Sequence, residues 1–311
     1  MADYITIDGG TTNTRISFVK NYKVTDTVKL NIGAKAGIDN NTALKTGIKN
    51  AISQILLRNN CKESICVILA SGMITSEFGL YKLPHITAPA GIKELHNNME
   101  KVLLSEISDI PFVFIRGVKT DSLSIEGADM IRGEETELVG IMKENDGECV
   151  YVLPGSHSKV IHTDKKGRIK EFSTMLTGEM IEALSKYTIL KDAVSMENTQ
   201  LQREYLLKGT DYALTHGINE ALFKVRVMKN ILGISQDGIY SFYTGAVLSG
   251  EVSRIIDYNS SKIIIGGKKQ LKEALGIILK EKTDANIVCI SDDAVDSSVS
   301  VGMIKIYEYR S

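Results

Sequence analysis

Tryptophan is absent, proline and cysteine occur only four times each in 311 residues, and no apolar run approaches the ~18 residues that a membrane helix requires. Each shortage excludes something. Without tryptophan, any aromatic platform beneath a sugar ring falls to tyrosine or phenylalanine. Cys61, Cys66, Cys149 and Cys289 form no CxxC pair, so a structural metal site and a disulfide framework are both set aside. Cys66, Cys149 and Cys289 each lie in an apolar, strand-like run and are expected to pack as small buried hydrophobes. Charge of one sign is missing too. Lysine and arginine total 37 against 38 acidic residues, a net charge of -1, which gives no overall field for nucleic acid or an anionic membrane and leaves only a local basic cleft open. Met1 to Tyr4 run straight into a strand pattern, so no signal peptide is expected and the protein is expected to be cytoplasmic.

What remains is ordinary globular usage, 43% hydrophobic and 24% charged, at a length that suits two lobes or one large fold. Tyr4–Asp8 and Arg15–Val19 read as a hairpin around Gly9-Gly10-Thr11-Thr12-Asn13. Helical spacing over 41–58 and again over Ile92, Leu95, Met99, Val102 and Leu103 predicts helices. Ile65–Ala70 reads as a strand followed by Ser71-Gly72-Met73, 79–91 as a loop, Pro111–Ile115 as a strand, and Glu134 onward as a helix. A polar stretch, Lys143 to Glu148, marks a boundary, and the second half opens like the first: Cys149–Leu153, the turn Pro154-Gly155-Ser156-His157-Ser158, then Lys159–His162. Helices are predicted over Met180–Leu190, Thr199–His216, Ile218–Leu232, Tyr240–Ile256, 269–281 and Val295–Tyr309, with strands at Ile263–Ile265 and Ile287–Ile290. Alternating strands and helices predict an α/β fold. The expected domains are 1–145 and 146–294, with the terminal helix 295–309 packing back onto the first.

Chemistry concentrates at three turns. A phosphate chain needs converging backbone N–H groups, small residues that permit close approach, and hydroxyl or cationic side chains. Asp8, Gly10, Thr11, Thr12 and Asn13 supply these at the first hairpin, and Gly155, Ser156, His157 and Lys159 at the second. Asp8, at a strand end, is placed to hold Mg²⁺ through water, since that ion keeps most of its hydration shell. Each turn alone has an ordinary reading as a glycine-rich hairpin. The two together, with the strand-ending pair Gly266-Gly267, favour phosphate binding.

The trio resembles the phosphate-1, phosphate-2 and adenosine elements of the actin, Hsp70 and sugar-kinase superfamily. Within it, four segments resemble the 2-dehydro-3-deoxygalactonokinase family: Ile7 to Arg15, Met130 to Gly140 (Arg132-Gly133-Glu134-Glu135-Thr136 at its centre), Val152 to Lys159, and Leu176-Thr177-Gly178-Glu179. Their order and spacing agree over essentially the whole chain. The resemblance implies two ribonuclease-H-like lobes of the actin-like ATPase and sugar-kinase type with an interlobe cleft. It also implies ATP and Mg²⁺ as cofactors, and phosphorylation of 2-dehydro-3-deoxy-D-galactonate at its 6-hydroxyl. The partners would be ATP and a small sugar acid, without nucleic acid or membrane, and a homodimer is left open. The family often carries a bulky aromatic where this chain has Gly9 and a tryptophan where it has Val160.

By the same resemblance, a carboxylate at a strand–helix junction orients the acceptor hydroxyl. Glu135 is favoured here and Glu134 is close behind, because Glu-Thr parallels the Asp-Thr of related kinases. Otherwise both are solvated first-turn acids that stabilise the helix. Arg132 is placed to clamp the sugar-acid carboxylate and Arg15 is a second candidate cation, with salt bridges as the alternative for both. Ser71, Gly72 and Met73, with the proline loop 83–90, match the sugar-facing region. Thr177 and Glu179 open a helix that faces either phosphate or sugar acid, or is simply capped by Thr177. Gly266 and Gly267 would admit a purine, with Lys268 and Lys269 read as a solvated pair. The alternatives are a kinase for a different sugar or sugar acid, or a nucleotide-dependent switch without catalysis.

Overall fold

The computed structural model describes residues 3–37, 41–197, 199–267 and 269–310. Met1, Ala2 and Lys268, on which expectations above touch, lie outside them. The chain divides into two compact units: Met1–Gly147 with Asp164–Glu171 and Asp293–Ser311, and Glu148–Thr163 with Phe172–Asp292.

In the first unit the strands are β1 (Asp3–Gly9), β2 (Thr14–Lys20), β3 (Lys23–Leu30), β4 (Ile65–Gly72), β5 (Ile86–Thr87), β6 (Glu100–Val102), β7 (Phe112–Phe114), β8 (Val118–Lys119) and β9 (Met130–Ile131). The helices are α1 (Thr42–Asn59), α2 (Ile92–Asn97) and α3 (Glu134–Ile141). Six strands form one sheet in the order β3-β2-β1-β4-β7-β6, and β5-β8-β9 form a small second one. β1 runs antiparallel to β2 and parallel to β4. Leu44, Ile48, Ala51, Ile52 and Ile55 recur on one face of α1 and pack into a core with Ile5, Ile7, Ile16, Ile68, Phe112 and Phe114.

The second unit's sheet is built from β10 (Val150–Leu153), β11 (Ser158–Thr163), β12 (Ile169–Met175, whose start falls in the first unit's segment), β13 (Lys262–Ile265) and β14 (Asn286–Cys289), in the order β12-β11-β10-β13-β14. β10 is antiparallel to β11 and parallel to β13, which is parallel to β14. Its helices are α4 (Thr177–Tyr187), α5 (Arg203–His216), α6 (Ile218–Asn230), α7 (Gln236–Val247), α8 (Ser249–Asp257) and α9 (Lys269–Lys282). Val152, Leu206, Val225, Tyr243, Val252, Ile265 and Leu275 are among the residues of its core. The last helix, α10 (Asp292–Tyr307), falls almost wholly in the first unit's segments.

Several local expectations need correction. The helix expected through Leu103 stops at Asn97, because residues 100–102 pair with the edge of β7 instead, and an unpaired strand edge rewards that choice more than apolar spacing does. The helix expected over Tyr240–Ile256 is two helices meeting at Leu248, and the first begins earlier, where Ser235 caps the Gly238 amide. Strands β3 and β12 were not anticipated, since each is half-exposed and charge-bearing rather than an apolar run. Ser71 and Gly72 belong to β4, and Met73 opens a short 3₁₀ turn. Thr177 is the first residue of α4 and not its cap; Leu176 occupies that place without a side-chain bond. Cys149 is buried as expected, but Cys66 and Cys289 are exposed, one on the outward-facing register of β4 and the other ending the edge strand β14.

One close crossing holds α3 in place. An added Cβ at Gly140 would land on the Ser298 carbonyl oxygen, and one at Gly302 on the Thr136 carbonyl oxygen, so α3 and α10 touch backbone to backbone. Gly302→Ala and Gly140→Ala should each lower unfolding stability by about 2 kcal/mol or more through overpacking. Urea denaturation measures this, and an unchanged midpoint in both variants would refute the crossing.

Candidate active site

The register of the first sheet gathers the candidates of the first unit. Asp8 pairs with Arg15 across β1–β2 and with Ser71 across β1–β4, while Gly9 pairs with Gly72. At the hairpin tip the Gly10 amide donates to Asn13 O (2.8 Å), and the amides of Ala34 and Lys35 hold the carbonyls of Gly10 (3.0 Å) and Thr11 (2.9 Å). The tip is thus fixed through its carbonyls. Thr11, Thr12 and Asn13 are exposed, and among the described residues their backbone amides donate to nothing. Burial pushes the half-buried Asp8 carboxyl up, opposed by the Arg15 charge and reinforced by Glu134. Arg15 also donates to Asp296 O (3.3 Å).

The turn at Arg132–Thr136 sits on the end of β4. Gly133 adopts φ 113°, a conformation that favours glycine, and a Cβ there would come within 3.2 Å of Gly72 Cα. Ser71 Oγ lies 3.1 Å from Thr136 Oγ1, and that hydroxyl donates to Gly133 O (2.6 Å). The two glutamates part company here. Glu135 is 0% exposed, and its oxygens accept the Gly133 amide at 2.9 and 2.8 Å. Burial, then the neighbouring Glu134 charge, pushes its carboxyl up to about 8. Glu134 is half-buried and accepts the Arg132 amide (2.9 Å).

Arg132 turns to neutral acceptors. Its Nη1 donates to Thr75 O (2.9 Å) and Thr75 Oγ1 (2.6 Å), and its Nη2 reaches Leu83 O (3.1 Å) and His85 Nδ1 (3.3 Å). Burial, helped by the Arg132 charge, holds His85 down at about 4, so the ring is neutral at physiological pH and accepts that bond. The guanidinium therefore braces the loop after β4. A cavity of about 800 Å³ at the far end of α3, with Met142, Lys143, Arg168, Lys305 and Glu308 in its lining, contains none of these residues.

The second unit repeats the hairpin logic. Gly178 N donates to the carbonyls of Gly155 and Ser156 (3.1 Å each), and Glu179 N to Ser156 O (3.2 Å). The first turn of α4 thus spends its amides on the hairpin. Gly155 N donates to Ser158 Oγ (3.3 Å), leaving the exposed Ser156 and His157 with amides that donate to nothing among the described residues. His157 Nε2 lies 3.0 Å from Glu179 Oε1, and the buried Lys159 donates to His157 O (2.9 Å). Gly266 N donates to Val152 O (2.8 Å), which sets the Gly266-Gly267 turn against the same hairpin. A cavity of about 700 Å³ in the same unit is lined in part by Thr199, Tyr240, Lys269, Gln270 and Glu273, without either glycine of that turn.

Sequence reasoning passed over Thr75, Glu251 and the Ala34–Lys35 backbone. None belongs to a local motif, and each acts on residues distant in sequence. Among the described residues no three His, Cys, Asp or Glu side chains group as a metal site. One carboxylate, Asp8, beside exposed hydroxyls is a donor set that fits a cation kept largely hydrated, as Mg²⁺ is.

Two units, each opened by a hairpin with free amides at its tip and continued by parallel strands and helices, define an actin-like ATPase or sugar-kinase fold. The chain belongs to the 2-keto-3-deoxy-galactonokinase family, whose description matches residues 8–301. It is 24% identical over 258 residues to the 2-dehydro-3-deoxygalactonokinase of Escherichia coli (strain K12), covering 83% of this chain and 82% of that one. It is 27% identical over 161 residues to a Rhizobium meliloti (strain 1021) protein assigned the same name, covering 51% and 50%. A crystal structure from Sinorhizobium meliloti, assigned to 2-dehydro-3-deoxygalactonokinase, superposes with a TM-score of 0.80 at 21% identity, over 98% of this chain and 100% of the other. The chain is therefore a sugar-acid kinase, a phosphotransferase. No described helix is long and apolar enough to cross a membrane.

Glu135 makes stability depend on pH. Folding a carboxyl whose value rises from 4.5 to about 8 requires proton uptake between those values, so its favourable contribution is complete below about 4.5 and is lost as pH approaches 8. Glu135→Gln, which cannot ionise, should match the wild type in urea denaturation near pH 5 and gain on it steadily up to pH 8. A difference that does not vary with pH would contradict the burial of this carboxyl.

Proposed function

We propose that this chain transfers the γ-phosphoryl group of ATP to the 6-hydroxyl of 2-dehydro-3-deoxy-D-galactonate. The observation that carries this reading is the Arg132–Thr136 turn, where a half-buried carboxylate stands over a wholly buried one, next to Asp8, in a member of this kinase family.

Phosphoryl transfer asks the protein for positioning and charge neutralisation more than for covalent chemistry. The free amides of Thr11, Thr12 and Asn13 and those of Ser156 and His157 are donors for phosphate oxygens, with Lys159 behind the second hairpin. Gly266 and Gly267 are assigned to the adenosine. Bound Mg²⁺, held by Asp8 through water, would neutralise charge on the phosphates. Ser71, Gly72, Met73 and the loop braced by Arg132 form the acceptor side, with Arg15, Thr177 and Glu179 as further candidate contacts.

Both glutamates keep a role, but a different one. A general base must reach the hydroxyl it deprotonates, and access favours Glu134. Glu135, spent on the Gly133 amide, shapes the turn that presents its neighbour. One observation favours a variant specificity within the same reaction class. A Cβ at Gly9 would meet Ile74 Cβ at 2.7 Å, so the bulky aromatic common there in the family does not fit this backbone.

Purified protein should form ADP from ATP only when a keto-deoxy sugar acid is present, and specificity constants across a panel of such acids rank the substrate. Glu134→Gln should lower kcat by roughly a hundredfold to ten-thousandfold while the KM for ATP stays within a few-fold. No ADP with any member of the panel would end the proposal, and full activity in Glu134→Gln would end the assignment of the base.

A further inference from the structure

Glu251 lies in the first turn of α8, is 1% exposed, and belongs to none of the four segments on which the family resemblance rests. Its carboxylate accepts the hydroxyl of Thr177, its charged form is further favoured by the Ser158 hydroxyl and by its own backbone amide, and among the described residues no cation contributes to its surroundings. Burial accordingly pushes the carboxyl up. A buried carboxylate held by neutral groups alone is a costly way to fill a core position that an apolar side chain would fill more cheaply.

Its partners give that cost a purpose. A hydroxyl has one proton, so when Ser158 commits it to Glu251 its oxygen is left to accept, and it accepts the Gly155 amide. Thr177 is bound in the same way at the head of α4, where the next two amides hold the carbonyls of Gly155 and Ser156. One carboxylate thus orders both attachments of the hairpin tip, the one through the Gly155 amide and the one through its carbonyls. What stays unspent is the pair of amides at Ser156 and His157.

We infer that Glu251 is a positioning residue for the nucleotide: it sets the hydrogen-bond polarity of Ser158 and Thr177, and so aims the free hairpin amides at a phosphate. This rests on the kinase reading above, with the second hairpin as a phosphate site. A negative partner is what fixes the direction, because both hydroxyls must then donate inward. An amide at the same place can accept one hydroxyl proton and offers a donor to the other.

The test is steady-state kinetics of Glu251→Ala, Glu251→Gln and Ser158→Ala beside the wild type, with urea denaturation to establish folding. Glu251→Ala should raise the KM for Mg-ATP on the order of tenfold, since hydrogen bonds to a charged group are lost, while the KM for the sugar acid stays within about twofold. Ser158→Ala should show the same ATP-selective rise, and Glu251→Gln should recover part of the loss. If Glu251→Ala does not fold, the other two variants carry the test. Variants that are merely less stable, with an unmoved KM for ATP, or that raise both KM values together, overturn the positioning role. Wild-type protein that turns over no ATP with any keto-deoxy sugar acid overturns instead the reading on which it rests.

Discussion

A single amide, Gly133 N–H, donates to both oxygens of a carboxylate that no water reaches. The rest of the proposed acceptor side depends on this contact. It requires a backbone conformation that favours glycine at residue 133, a close approach to Gly72 at the end of β4, and a helix pressed backbone to backbone against α10. Once these are in place, Glu134 has little choice of direction. The geometry of the turn is thus decided beneath the surface, and Glu134, the proposed base, inherits it.

The two hairpins follow one principle in different materials. Each tip is held by its carbonyls, at Gly10 and Thr11 by the Ala34 and Lys35 amides, and at Gly155 and Ser156 by the first amides of α4. Fixing carbonyls leaves N–H groups facing outward, which is what an anion needs. A helix N-terminus in the second unit therefore serves the hairpin before it can serve a ligand, and its capping chemistry becomes part of how the hairpin backbone proposed to bind phosphate is presented.

Much of this was legible from residue order. Apolar runs such as Ile5–Ile7 and Ile263–Ile265 and the periodic face of α1 mark their elements because burial alone decides them. The glycine and hydroxyl turns are legible because few residues tolerate such close backbone. Other features depend on partners that local spacing cannot reveal. The charged strand β3 is a strand only because β2 lies beside it. Arg132 looks like an anion clamp until Thr75, Leu83 and His85 are brought under it. Two adjacent glutamates are ranked on paper only by the Glu-Thr parallel, which favours Glu135, and become a buried acid and a half-buried one only when the glycine before them fixes the turn.

The most direct measurement is a crystal structure of the protein with the sugar acid and a nonhydrolysable ATP analogue both bound. The account predicts the acceptor 6-hydroxyl within about 2.6–3.2 Å of the Glu134 carboxylate, with Glu135 still on the Gly133 amide and phosphate oxygens on the free amides of the hairpin tips. An acceptor hydroxyl hydrogen-bonded elsewhere, with Glu134 turned to solvent, would contradict it.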